Sequence, residues 1–429
     1  MSYQLIDHPT LGQMVREVMP NGLTVYLYPM TKIHSAYCIL GTRVGSADDR
    51  YYQDGQVCTM PAGVAHFLEH KLFDMPGGRD VTAEFAARGA NTNAFTSYDM
   101  TAYYFSCTEN FDECLRLLVE FVSTPYFTEE SVQKELGIID QEIGMNEDAP
   151  DSCVYENLVS AAYTSHPIRV PILGSRESIR EITPEILHTC HRAFYTPGNM
   201  LLCVVGDVDP EQVKAIALEV LGDHPREVGR KIRFWQEPAA CEKQPESANM
   251  EVAMPMFSLL FKAEPVPLGE AGFRRETVAD FAAELLFGES SELYLKLYEE
   301  GIIDSSFGGG FEVIDGCAMM MISGDSDTPE AVREAVIAQA EKMLAEGIRQ
   351  EDFLRTRRAV FGSRIKALDS FDATCFRTCA YHITGFDYFD FPRVHAQVEK
   401  QEVLDFLRAT IRRDNWALSV IYPNQEETA

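Results

Sequence analysis

No stretch of this sequence is long and apolar enough to cross a bilayer, which takes about 20 helical residues. The opening Met1-Ser2-Tyr3-Gln4 lacks the basic-then-apolar pattern of a secretory leader. Eleven cysteines occur, but none forms a C-x-x-C pair, so the spacing signatures of structural zinc and dithiol redox sites are missing. Cys375 and Cys379 are four apart, which on a helix is one face and nothing more. An odd, scattered set of thiols fits a reducing compartment, and the expected location is the cytoplasm. Positive charge is scarce too: 37 Lys and Arg against 66 Asp and Glu give a formal net charge of -29. Nucleic acid and anionic membranes require a basic surface, so neither is expected as a partner. The acidic excess serves solubility or sets up a field that attracts basic peptides.

What is present is globular material. Of 429 residues, 46% are hydrophobic and 24% charged, ample for large cores and roughly two or three domains. Disorder is expected only at residues 424–429. Residues 23–28, after Asn21-Gly22, read as a strand following a turn, as do 35–40 and 103–107 as strands. Residues 62–73 read as a helix, with Pro61 at its start and Pro76-Gly77-Gly78 beyond its end. Helical patterns cover 110–123, with Asn110 as N-cap, and 129–147, where Val132, Leu136, Ile139 and Ile143 form one stripe. Thr183 caps a helix to Phe194 with Pro184 at its first position. A strand over 200–208 and a helix over 210–221 follow.

Residues 222–248 change character, with Pro225, Pro238, Pro245, many charges and no period. They predict a linker, part of it a strand, centred on 229–244 and separating halves 1–228 and 245–429. Beyond it the pattern restarts. Residues 64–73 (VAHFLEHKLF) align without a gap on 278–287 (VADFAAELLF), agreeing at five of ten positions. The offset is half the chain, which predicts a duplicated unit. In the second copy His66 becomes Asp280, Glu69 becomes Ala283 and His70 becomes Glu284, so only the first copy carries the chemistry.

That chemistry starts from His66 and His70. Histidines at i and i+4 share a helix face and can share a metal, and neutral imidazoles suit zinc. Glu69 sits beside them without aligning with both, placed to take a proton from water at the metal. The order H-x-x-E-H is the inverted form of a zinc-peptidase motif. A lone histidine on an apolar helix is usually a satisfied core residue; two at this spacing around a glutamate are rarer. A catalytic site needs a third ligand and an open position. Glu135, Asp140, Glu142, Glu147 and Asp148 are available. Glu135 and Glu142 share a face two turns apart, and Asp140 and Glu147 read as solvated surface groups. Pattern alone does not choose among the five.

With these residues the chain resembles the pitrilysin or insulinase family of zinc metallopeptidases, which includes mitochondrial processing peptidases. The resemblance rests on residues 63–70 (GVAHFLEH), 93–96 (NAFT), 135–142 (ELGIIDQE), His166-Pro167, 172–174 (ILG), 195–200 (YTPGNM) and 206–210 (GDVDP). These segments come in the family's order and span most of residues 20–220; the second half fits as a degenerate repeat. The resemblance implies two homologous α+β halves, each a mostly antiparallel sheet with helices on one face, together half of a clamshell. It implies that His66, His70 and Glu142 hold Zn2+, that Glu69 is the base, and that Glu135 orients the site. It also implies that Asn93 and Ala94 lie on an edge strand to which a peptide substrate adds. The expected activity is endopeptidase cleavage of peptides or small unfolded proteins. The alternative is a non-catalytic peptide-binding or assembly subunit that keeps its zinc site.

One segment departs from the pattern. Where active relatives carry an arginine and a tyrosine that hold the substrate carbonyl, residues 297–304 place Tyr298 and Asp304, with Ser305 alongside. An oxyanion donor contributes roughly 3 kcal/mol. A partner subunit is therefore expected, either a homodimer or a heterodimer with a metal-free homologue that supplies the missing pair. A homodimer would complete the clamshell without restoring the pair.

Overall fold

The computed structural model describes residues 4–8, 12–233, 235–241 and 246–424. The first half is built on seven strands: β1 (Gln4–His8), β2 (Gly12–Val18), β3 (Thr24–Pro29), β4 (Ala36–Thr42), β5 (Asn91–Thr96), β6 (Thr101–Cys107) and β7 (Met200–Gly206). Their order is β1-β2-β3-β7-β4-β6-β5, with only the β3–β7 pair parallel. The continuous apolar runs in β3 and β7 mark strands covered on both faces. Val25, Leu27, Leu202 and Val204 enter one core, while Tyr26, Tyr28, Leu201, Cys203 and Val205 enter another.

The first of these cores is closed by the half's own helices, among them α1 (Val64–Leu72), α2 (Phe111–Ser123) and α3 (Glu129–Glu147). A further helix, α4 (Pro150–Ala162), leaves its own half and packs on the second sheet. That sheet comprises β8 (Glu246–Met250), β9 (Met256–Ala263), β10 (Gly308–Ile314), β11 (Cys317–Asp325) and β12 (Ala417–Pro423), in the order β8-β12-β9-β11-β10. Again only the first pair, β8–β12, is parallel. The arrangement matches β3-β7-β4-β6-β5 strand for strand, which bears out the duplication. The second half's helices α5 (Glu270–Phe287), α6 (Gln350–Lys366) and α7 (Phe371–Ile383) repeat α1, α3 and α4 in order. As α4 covers the second sheet, so α7 covers the first, with Cys375 and Cys379 buried against Cys203 and Tyr28. The halves are locked together by exchanged helices, and each sheet is covered on both faces.

Residues 222–233 and 235–241 are anchored rather than free. Arg230–Lys231 forms a short strand against Tyr51 and Tyr52. Arg233 bridges Asp48 of the first half at 2.7 Å and Asp315 of the second at 2.9 Å. Glu237 accepts from the backbone N–H groups of Thr164, Ser165 and His166 at 2.5–3.0 Å and pairs with Lys262 at 3.1 Å. One expectation fails: Asn110 precedes α2 without capping it. Its backbone is left-handed, with φ 57°, and its Nδ2 donates to Arg88 O at 3.1 Å. Asparagine tolerates that conformation, and its side chain serves the end of the preceding helix instead. Pro245 and residues 425–429 lie outside the described residues.

Burial penalises the Glu237 charge, but three backbone donors and Lys262 outweigh it, holding the carboxyl at about 2 instead of its ordinary 4.5. A carboxyl depressed in the folded state adds stability above its unfolded pKa and loses it as pH falls. Glu237→Gln is therefore expected to cost roughly 2 kcal/mol at neutral pH. In urea unfolding, the gap to wild type should narrow as pH falls from 4.5 towards about 2.

Candidate metal centre

Helix α1 starts where two glycines meet. Gly63 has φ +91°, and a Cβ there would lie 2.4 Å from Leu173 O; Gly174 has φ +77°, and its Cβ would lie 2.5 Å from Ala62 O. Only glycine permits both the left-handed backbone and this approach. The contact fixes the helix start against residues 172–174, so two segments distant in sequence form one joint. From there α1 runs through the core, leaving His66 only 7% and Glu69 9% exposed. The His66 and His70 rings lie one turn apart on one face, centroids 4.6 Å apart.

Glu142 reaches both rings from α3. His66 Nε2 lies 3.6 Å from Glu142 Oε1, and His70 Nε2 lies 3.6 Å from Glu142 Oε2. One donor atom from each of the three falls within 4.8 Å of the others. A tetrahedral zinc site with bonds of about 2.1 Å sets its ligands about 3.4 Å apart, so small side-chain movements would close the cluster on an ion. Two imidazoles and one carboxylate, with no fourth protein donor among the described residues, is the donor set of a zinc site with an open position. Burial, with His70 adding to it, lowers His66 to about 4, so its imidazole is neutral and able to ligate.

Glu135, one further face-sharing position back along α3, accepts from His70 Nδ1 at 3.0 Å. That bond assigns the proton to Nδ1 and leaves Nε2 for a metal. Burial disfavours a charged His70, but Glu135, Glu142 and Glu69 outweigh it and raise its pKa. The remaining acids stand apart: Asp140 and Glu147 pair with Arg176 at 3.4 and 2.6 Å, and Asp148 ends the helix. Glu69 is held by Thr96, whose Oγ1 donates to Glu69 Oε2 at 2.7 Å. Burial raises the Glu69 pKa against the pull of Thr96 and His70.

Thr96 belongs to β5, the edge of the first sheet. Ala94 pairs with Tyr103 and Thr96 with Thr101, while Asn93 pairs with Tyr104 and Phe95 with Ala102. Paired residues share a face, so Ala94 and Thr96 face α1, and Asn93 and Phe95 face the α7 side. The Ala94 N–H, on the exposed edge, is bonded by Asn93 Oδ1 at 2.9 Å. Thr96 had no role in the sequence reading. Its signal was there: two residues past Ala94 on a strand means the same face.

The second half has lost the cluster. Asp280, which aligns with His66, forms an ion pair with Arg364 of α6 at 2.5 Å. Helix α6 occupies the position that α3 has in the first half, so a charge pair stands where the first half has the His66–Glu142 pair. Tyr298 is 52% exposed and stacks on Tyr294, and Asp304 accepts from Ser306 at 2.7 Å. Among the described residues neither touches the His66–His70–Glu142 cluster.

Comparison with known proteins agrees with this architecture. A family model described as Insulinase (Peptidase family M16) matches residues 31–176, and one described as the Peptidase M16 inactive domain matches 181–360. A Bacillus subtilis (strain 168) protein named "Uncharacterized zinc protease YmfH" is 35% identical over 415 residues, 96% of each chain. An M16-like peptidase from Alicyclobacillus acidocaldarius superposes with a TM-score of 0.92 at 30% identity, covering 99% of each chain. The periplasmic protease PqqL from Escherichia coli shares the fold, with a TM-score of 0.72 at 18% identity; 98% of this chain covers 48% of that one. The chain belongs to the insulinase, or M16, family of peptidases.

Because Glu135 holds His70 by its Nδ1, Glu135→Ala is expected to weaken zinc binding roughly 10- to 100-fold. Competition against a fluorescent chelator measures this directly.

Proposed function

We propose that this chain is a zinc-dependent endopeptidase that cleaves peptides or small unfolded proteins in concert with a partner subunit. The observation that carries the reading is the placement of Glu69. A structural metal site has no use for a base, yet Glu69 is buried beside the histidines, held by Thr96, and adjacent to an open sheet edge.

His66, His70 and Glu142 are the ligands of this reading, and Glu135 positions His70. A zinc ion held there supplies Lewis acidity that activates water and polarises a peptide carbonyl. The substrate adds to β5 as an extra strand, and its main chain displaces Asn93 Oδ1 from the Ala94 N–H. Glu69 takes a proton from the attacking water as its oxygen bonds to the carbonyl carbon. Glu69 then returns that proton to the amine nitrogen as the C–N bond breaks. Main-chain pairing reads an extended backbone, so recognition depends on conformation first and side chains second.

The partner follows from what this chain lacks. Neither Tyr298 nor Asp304 supplies the arginine and tyrosine of the family pattern, and the chain spans half the length of PqqL. A metal-free homologue that carries the pair would complete the site; a homodimer would complete only the shell. The same gap supports the second reading, a peptide-binding or assembly subunit with a retained zinc site. We divide the chain at 229–244, between the last strand of the first sheet and the first strand of the second. All eleven cysteines are free, which fits a reducing cytoplasm.

Glu69→Gln should retain zinc and lose cleavage by roughly 10²- to 10⁴-fold. Thr96→Val should retain zinc and lower kcat about tenfold with KM little changed, as loosened positioning of the base predicts. Zinc content and steady-state peptide cleavage, with and without a metal-free homologue, measure both. Equal and negligible cleavage by wild type and Glu69→Gln, even with the homologue present, would rule out the enzyme and leave the binding subunit.

A further inference from the structure

We propose that Lys71 is a positioning residue for the metal centre, acting through Glu135. The proposal rests on the zinc reading above and adds a residue to it. Lys71 directly follows His70, so its side chain leaves α1 about 100° further round the helix. It points inward: the residue is 0% exposed. A lysine is almost never fully buried unless paired, because its charge is costly to desolvate.

The pairing is specific. Lys71 Nζ meets the Asp74 carboxylate, lies 3.4 Å from Ser131 O, and lies 3.9 Å from Glu135 Oε2. The other Glu135 oxygen, Oε1, accepts from His70 Nδ1. The Glu135 carboxylate is thus spanned between an imidazole and an ammonium, one oxygen to each. Asp74–Lys71–Glu135–His70 form a chain that runs from a half-exposed turn to a candidate ligand. The hydrogen bond holds one oxygen directly and the ammonium attracts the other across 3.9 Å, which biases the plane of the carboxylate and hence the direction in which it holds the His70 ring.

Charge gives a second, independent reason. Glu69, Glu135 and Glu142 bring three formal negative charges to the centre, and a divalent metal would offset two of them. Lys71 places a positive charge beside the remainder without occupying a ligand position, and shares it with Asp74, which is half-exposed and screened by solvent. A neutral side chain of similar size would fill the same space but leave Glu135 restrained on one side only and the buried charges unbalanced.

The test uses the full chain, with zinc and Co2+ as probes. Lys71→Met, Lys71→Arg, Asp74→Asn and Glu135→Gln, and the Lys71→Met/Glu135→Gln double variant, are compared with wild type. The readouts are the zinc dissociation constant by chelator competition, the visible Co2+ spectrum, and the unfolding midpoint of metal-free protein. Lys71→Met should raise the dissociation constant roughly 10-fold or more and shift the Co2+ bands. Lys71→Arg should recover most of both, and Lys71→Met should add little once Glu135 is Gln. A fall in the metal-free midpoint with an unchanged zinc constant and spectrum overturns the proposal, since Lys71 would then support only the fold. If Lys71→Met does not fold, Asp74→Asn at the half-exposed end decides: a few-fold weaker site supports the chain, an unchanged one overturns it. A wild type that binds no zinc overturns this proposal and the metal reading together.

Discussion

The structure turns on one constraint, the burial of a helix that carries four polar side chains in nine residues. Helix α1 crosses the first core with His66, Glu69 and Lys71 all buried. Polar groups in such a place must find partners or be lost to desolvation. The surrounding architecture supplies them one by one. Helix α3 brings Glu135 and Glu142, β5 brings Thr96, and the turn after α1 brings Asp74. His66 Nδ1 is the exception, buried without a hydrogen-bond partner among the described residues. The glycine joint at Gly63 and Gly174 sets the depth and angle at which the helix enters, so the partners meet groups from two other elements at once.

Duplication explains why so large a scaffold surrounds so small a centre. Each sheet has one face covered by its own helices and the other by a helix from the opposite half. Neither half can therefore bury both faces alone, and the degenerate copy is retained for its packing even where its chemistry is gone. The Asp280–Arg364 pair shows how the second copy settled the same problem. Where the first half places two histidines and a glutamate that could hold a metal, the second places two opposite charges that satisfy each other.

Much of this was legible in the residues. The i, i+4 histidines, the intervening glutamate and the half-chain repeat are periodic features, and helix geometry translates them directly into shared faces. The strands at 24–29 and 200–206 were legible as apolar runs. The choice of Glu142 over Asp140 or Glu147 was not, because all three are acids on one helix, and only the position of Arg176 and the packing of α1 separate them. Thr96 and Lys71 escaped notice for a related reason. A threonine in a strand and a lysine in a helix are unremarkable until their burial and partners are known. The exchange of α4 and α7 has no local signature at all, since it depends on which sheet an apolar helix face meets. Asn110 misled because the cap preference describes what asparagine often does before a helix, while here an earlier helix end competed for its side chain.

The central claim is that His66, His70 and Glu142 form one zinc site with an open position. Anomalous diffraction above and below the zinc edge, from crystals of the full chain grown with zinc, tests it most directly. The prediction is one strong peak per chain, within bonding distance of both histidine Nε2 atoms and a Glu142 carboxylate oxygen, and none beside Asp280 or Glu284. A peak elsewhere, or no peak between the two histidines, would contradict it.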